Sequence, residues 1–214
     1  MNHKITNALH YRNKTILIWK AIIILIIAVP NLSGQYISHP PEPWREAYEI
    51  TLKGFEFSHP MTVVNDDELS IIRERIQYNV EPQKTAFEKL VEEAEEALSF
   101  SPYSPQTLEI PGGYVDSDGL KYARKVLWEN CHAAYSCALV YAITGETVYA
   151  NKAIEVLMHW ANRDIRFTGD DSGLQLGSWF SPMLYAADLL HGYNDWTGAD
   201  RNTFKSWWRN NCLE

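Results

Sequence analysis

The chain has 214 residues, 46% of them apolar and 13% aromatic, with 8 Trp and 12 Tyr, enough for one packed domain or part of a larger one. Charged residues make up only 21%, which excludes disorder over the bulk of the chain. The 19 Lys and Arg against 27 Asp and Glu leave a formal charge of −8, a poor balance for a nucleic-acid partner, whose affinity rests on phosphate neutralisation, or for an anionic membrane surface.

The first element is a targeting segment. Lys4, Arg12, Lys14 and Lys20 precede an uninterrupted apolar run over residues 21 to 29, and Pro30, Asn31, Leu32, Ser33 and Gly34 follow. Such a run is too short for a bilayer core, which needs about 20 residues. A basic start, a short apolar centre and a small-residue exit are the layout of a secretory signal peptide over residues 1–34. Its removal takes four bases and no acids, so 19 − 4 = 15 bases face 27 acids and the mature charge is −12. The expectation is a periplasmic or extracellular protein with no stable membrane anchor after cleavage. Residues 35–64, with Pro40, Pro41, Pro43 and Pro60, read as an extended lead.

From residue 65 the pattern is helical. Asn65 with Glu68 makes a capping box ahead of Leu69, Ile72 and Ile76. Pro82 opens a second helix at its tolerated first position, with an apolar stripe of Phe87, Leu90, Val91, Ala94 and Leu98. Glu92, Glu93, Glu95 and Glu96 read as its solvated face. Residues 99 to 118 form a long loop broken by Pro102, Pro105, Pro111, Gly112 and Gly113. A third helix spans about 120 to 143, and after Thr144-Gly145-Glu146 a fourth carries Ala150, Ala153, Ile154, Leu157 and Trp160. A second long loop covers 163 to 175, a fifth helix about 176 to 190, and Thr197 with Asp200 caps a sixth that reaches Asn210. Helix, Thr-Gly turn, helix occurs twice, which indicates antiparallel αα-hairpin repeats.

Export permits disulfides, yet there are three cysteines. Cys131 and Cys137 fall on different faces of one helix and cannot pair there. A Cys131–Cys212 bridge and three small buried hydrophobes both fit the spacing. No cysteine spacing resembles a zinc site, and no metal is expected.

Connection lengths place the functional end. The short turns 144 to 146 and 192 to 197 belong at one end of antiparallel helices, and both long loops then fall at the other. Its inventory includes Tyr103, Tyr114, Asp116, Arg124, Trp128, Arg163, Arg166, Gln175 and Trp179. Of these, Tyr114, Arg124, Arg166, Gln175 and Trp179 are the expected substrate-binding residues. Aromatic platforms beside Arg and Gln suit a sugar chain, whose ring faces stack and whose carboxylates need donors. Trp128 and Trp179 can equally be core residues.

His59-Pro60, Asn65-Asp66-Asp67-Glu68-Leu69 with Ile72-Arg73, and the stretch Ala138-Leu139-Val140-Tyr141-Ala142-Ile143-Thr144-Gly145 leading to Tyr149-Ala150-Asn151-Lys152-Ala153-Ile154 resemble the alginate lyase domain family. So does Ala186-Ala187-Asp188-Leu189-Leu190. The resemblance covers about residues 58 to 212. It implies an all-α fold, an α/α toroid of which residues 65–214 look like the N-terminal half, and a secreted polysaccharide lyase cleaving alginate or a related polyuronate by β-elimination. The implied partner is an anionic polysaccharide or oligosaccharide, without cofactor. Elimination needs the C5 carboxylate neutralised as charge develops, with a base and an acid of Tyr or His type. In the family an Asn-His pair neutralises. Here Asn210-Asn211 is followed by Cys212, so no catalytic residue is carried over and no lyase turnover is expected from this sequence. An α/α-barrel glycoside hydrolase using loop carboxylates among Asp116, Asp118, Asp170 and Asp171, or a non-catalytic helical-repeat carbohydrate-binding protein, are the alternatives.

Overall fold

The computed structural model describes residues 58–213. The expected signal peptide and most of the extended lead lie outside the described residues. Helices α1 (Asp66–Gln77) and α2 (Gln83–Leu98) come first. The Asn65–Glu68 capping box is present in both directions, and Pro82 stands just before α2. A short strand β1 (Thr107–Glu109) precedes the long helix α3 (Ser117–Thr144), and α4 (Thr147–Ala161) follows after two residues. Next come β2 (Arg166–Thr168), α5 (Ser172–Gln175), a π-helical turn over Leu176–Phe180 and α6 (Pro182–Leu189). The last helix, α7 (Gly198–Trp208), ends in a second π-helical turn at Arg209–Leu213. Thr197 and Asp200 form the second capping box.

Among the described residues helix α3 is the central element and packs against α2, α4 and α6. Small and apolar residues lie on several of its faces, and Ala123, Val126, Leu127, Cys131, Ala134, Cys137 and Ala138 are all fully buried. A helix apolar nearly all round belongs inside a core. Its C-terminus is closed by Gly145, in the left-handed region at φ 78°, whose N–H donates to Tyr141 O. Arg73 of α1 reaches the same end and donates to Ala142 O at 2.5 Å and Ile143 O at 3.3 Å.

One short turn and three hydrogen bonds fix the helix directions. The two-residue turn at 145 and 146 makes α4 antiparallel to α3. Arg124 Nε donates to Gln175 Oε1 at 2.9 Å, so the α5–α6 run starts beside the start of α3. Tyr193 OH donates to Asn151 Oδ1 at 3.0 Å, so that run ends beside the start of α4. Trp207 Nε1 donates to Arg163 O at 3.1 Å, which brings the end of α7 back to the end of α4. Short turns therefore gather at one end of α3 to α7 and the long loops at the other, as the connection lengths predicted.

Two details differ from the sequence reading. The long loops are joined by a parallel two-stranded ribbon, Thr107 to Arg166, Leu108 to Phe167 and Glu109 to Thr168. Gly169 makes the ribbon possible. It sits at φ 96°, and a Cβ there would lie 2.4 Å from Ile110 O, so no other residue fits without displacing backbone. The expected fifth helix begins earlier, at Ser172, and is interrupted by the π-helical turn. Pro182 has no N–H to return to Ser178, which removes an ordinary helical bond where the turn widens.

Beneath the ribbon, Trp160, Phe167, Phe180, Trp207 and Trp208 form an aromatic core, with Phe180 stacked on Trp208 at 5.3 Å. The three cysteines are free. Cys131 donates toward Phe180 O and Cys137 toward Ala94 O, both at 3.7 Å. Burial pushes the Cys137 and Cys212 thiols up to about 12, so the small-hydrophobe alternative describes them. Among the described residues no helix is long and apolar enough to cross a membrane.

Candidate functional site

The long-loop end holds a cluster built on one face of α3. Arg124, Trp128 and His132 follow at intervals of four residues and therefore share that face. The π-helical turn presents Trp179 to them. Trp128 meets Trp179 edge-on at 6.2 Å, and His132 stacks on Trp128 at 5.1 Å. The Arg124 guanidinium lies 5.6 Å over the Trp179 ring, within cation–π range. Trp179 packs on the edge of the core, whereas Trp128 stands outside it, so the two readings left open for these residues separate.

Gln175 has a different part from the one expected of it. It is 2% exposed and its Oε1 accepts from Arg124 Nε. It cannot line a cleft; it aims the guanidinium. Only Nε is used, and Arg124 has no carboxylate partner among the described residues, which leaves both Nη groups as a fork for a planar anion. His132 Nε2 lies 3.5 Å from Glu93 of α2, so Glu93 is turned inward and not part of a wholly solvated Glu face. Burial pulls the His132 imidazole below its ordinary value, which keeps it neutral at pH 7.

The other two expected residues are not brought to this cluster. Tyr114 projects into solvent from the turn before α3, at 109% relative exposure. Arg166 opens β2, where its backbone N–H donates to Gln106 O and its side chain is exposed. Tyr103, also in the loop inventory, is structural. Its hydroxyl donates to Glu129 at 2.7 Å, its N–H to Asn130 Oδ1 at 3.3 Å, and its carbonyl accepts from Asn130 Nδ2 at 2.9 Å. Burial, followed by the bond to Glu129, drives its phenol well above the usual tyrosine range. Asn130 carries no local signal in the sequence, being a buried amide inside an apolar helix.

A second feature lies at the same end. An open groove of about 620 Å³ runs between the end of α4 and α7, lined by Asn162, Arg163, Asp164, Asn202, Ser206 and Asn210. A smaller recess of about 340 Å³ shares Arg163 and Asp164 with it and continues to Ser104, Pro105 and Gln106. Asn211 Nδ2 donates to Trp207 O at 2.9 Å, and Cys212 packs against the core, so this stretch ends a helix as the sequence suggested. Of the loop carboxylates, Asp116 caps α3 by accepting from Asp118 N and Gly119 N, and Asp118 pairs with Lys121 at 2.8 Å. Among the described residues no group of three His, Cys, Asp or Glu could hold a metal ion.

No family model matches the chain, and no curated protein matches it. Its structure is similar to the crystal structure of an alginate lyase from Bacteroides ovatus, with a TM-score of 0.56 and 18% identity over 72% of this chain and 54% of that one. The chain thus spans about half the length of that enzyme. At this identity the likeness speaks for architecture: the protein is an all-α chain of antiparallel αα-hairpins with the fold of an α/α-toroid lyase.

Proposed function

We propose that this is an exported protein of the α/α-toroid polysaccharide-lyase type and that its long-loop end binds a uronic-acid-containing polysaccharide, alginate or a related polyuronate. One observation carries the reading: Gln175 holds Arg124 by Nε over the Trp179 ring, and among the described residues no carboxylate pairs with the guanidinium. That is the pair of contacts a uronate offers, a planar carboxylate for the guanidinium and an apolar ring face for the indole. An acidic chain repels a polyanion at long range, so local cations must supply the attraction. Arg124, Arg163 and Arg166 all stand at this end. The similarity to an alginate lyase supports the same reading.

The proposal separates binding from turnover. β-Elimination needs a donor that neutralises the carboxylate in the transition state. Where the family resemblance places Asn-His, this chain has Asn211-Cys212, and burial holds the thiol protonated, a weak donor. Calorimetric titration with uronate oligosaccharides, with neutral glucan oligosaccharides of equal length as the control, tests the first half. The uronates should bind and the neutral chains should not, and equal binding of both would defeat the reading. Ultraviolet absorbance of an unsaturated product tests the second half. It should stay at background, and product formation would mean that a neutraliser exists within this chain.

A further inference from the structure

The groove between the end of α4 and α7 combines apolar and polar surface on a fixed frame. Ala161 and Trp207 border it, 8% and 6% exposed, where the core reaches its surface. One wall is the stretch 162–164, whose backbone is pinned on both sides. The N–H groups of Asn162 and Arg163 donate to Met158 O and Trp160 O, both at 3.1 Å, and the Arg163 carbonyl accepts from Trp207 Nε1 at 3.1 Å. Ile165 then enters the core. The other wall is α7 with the turn after it. Asn202 and Ser206 stand one helical turn apart on one face of that helix, and Asn210 follows. None of the side chains of Asn162, Arg163, Asp164, Asn202, Ser206 and Asn210 makes a hydrogen bond or ion pair among the described residues. The backbone is fixed while these side chains are uncommitted, which confines the ordering cost of binding to the side chains.

The chemistry of the lining selects a class of ligand. Amides and a hydroxyl both donate and accept, which matches sugar hydroxyls, themselves donors and acceptors. An apolar patch of indole and methyl framed by such groups suits a pyranose ring, whose faces are apolar and whose edge is polar. Arg163 and Asp164 add one charge of each sign, so the groove has no net charge with which to draw in a polyphosphate. A uronate residue uses both: its carboxylate meets the guanidinium, and its hydroxyls donate to the Asp164 carboxylate and exchange hydrogen bonds with the amides. We propose that this groove is a second saccharide subsite, sharing no residue with the Arg124–Trp179 cluster, which holds one uronate residue with its carboxylate on Arg163 and its hydroxyls on Asp164, Asn202 and Asn210. The inference rests on the proposed function for its ligand class and on the groove itself for its place.

Magnetic resonance on the nitrogen-labelled full chain reads the two places separately. The side-chain amides of Asn202 and Asn210 and the Trp207 indole N–H report the groove, and the Trp179 indole N–H reports the Arg124 cluster. Titration with a 1,4-linked uronate tetrasaccharide should move both sets saturably. The double variant Arg163→Ala with Asn202→Ala should weaken the affinity read at Asn210 and Trp207 by about tenfold or more and leave the Trp179 response unchanged. Both residues are exposed and the carbonyl that holds Trp207 is retained, so the substitutions leave the core untouched. The same tetrasaccharide with its carboxyl groups reduced should weaken groove binding by a similar factor. Groove signals that stay still while Trp179 moves would overturn the subsite and leave the proposed function standing. Movement of the groove signals alone would support the subsite and remove the Arg124 cluster from the reading. If neither set moves, the proposed function falls and the subsite with it. An unchanged groove response in the double variant, or to the reduced chain, would overturn the assignment of a uronate to Arg163.

Discussion

The two ends of the helices treat their polar side chains differently. At the short-turn end they close on one another: Arg73 on the carbonyls ending α3, Asp188 on His59, Met61 and Thr62, Tyr193 on Asn151 and Asp195, and Arg201 on Trp196 O at 2.7 Å. At the long-loop end Arg163, Arg166, Asn162, Asn202 and Asn210 have no side-chain hydrogen bond or ion pair among the described residues, and Arg124 uses one of its donors. The difference is one of architecture. A two-residue turn has no room for a groove, so its polar groups must satisfy each other. A loop of a dozen or more residues held by a ribbon can leave donors facing outward. These free donors are the ones the proposed uronate ligand would meet.

The comparison can be broken most directly at Gly169. A valine there needs a left-handed backbone and a Cβ inside contact distance of Ile110 O. We expect Gly169→Val to cost about 3 kcal/mol, seen as a drop in the thermal midpoint and loss of uronate binding. Unchanged binding would show that the ribbon does not support the site. Asn130→Leu comes next. It leaves the N–H and C=O of Tyr103 without their partner and should cost about 2 kcal/mol, measured by urea denaturation, while the short-turn amides of Met61 and Thr62 keep their protection.

Binding itself should divide the ends. Arg124→Ala removes the guanidinium fork and should weaken uronate oligosaccharide affinity by about tenfold or more in calorimetry. Gln175→Leu, which only frees Arg124 to move, should do so by less. Arg201→Ala, at the short-turn end, should leave affinity unchanged, and an equal loss in Arg124→Ala and Arg201→Ala would abolish the distinction. The smallest effect is expected at Asp118. Its pair with Lys121 is solvated on both sides, so Asp118→Asn should not move the thermal midpoint measurably in 0.15 M salt.

Local signals determined much of the fold by themselves. Capping at Asn65 and Thr197, the glycine stop at Gly145, and the apolar stripes of α2 and α4 act within about four residues, and a linear reading reaches that far. Loop lengths then sufficed to place both long loops at one end. The all-α class and the hairpin repeat needed nothing more. What the sequence could not contain is which distant groups meet. The ribbon between 107–109 and 166–168 depends on a glycine whose need for φ 96° arises only when Ile110 lies across it. Gln175 looked like a ligand residue because an amide in a loop is usually exposed, and only packing against α3 shows it buried behind Arg124. Tyr114 and Arg166 share a loop end with Arg124 but not a surface, because the turn before α3 faces solvent and β2 lies on the ribbon. Asp188 joins His59 across 129 residues, a contact that hairpin packing creates and that no periodicity encodes.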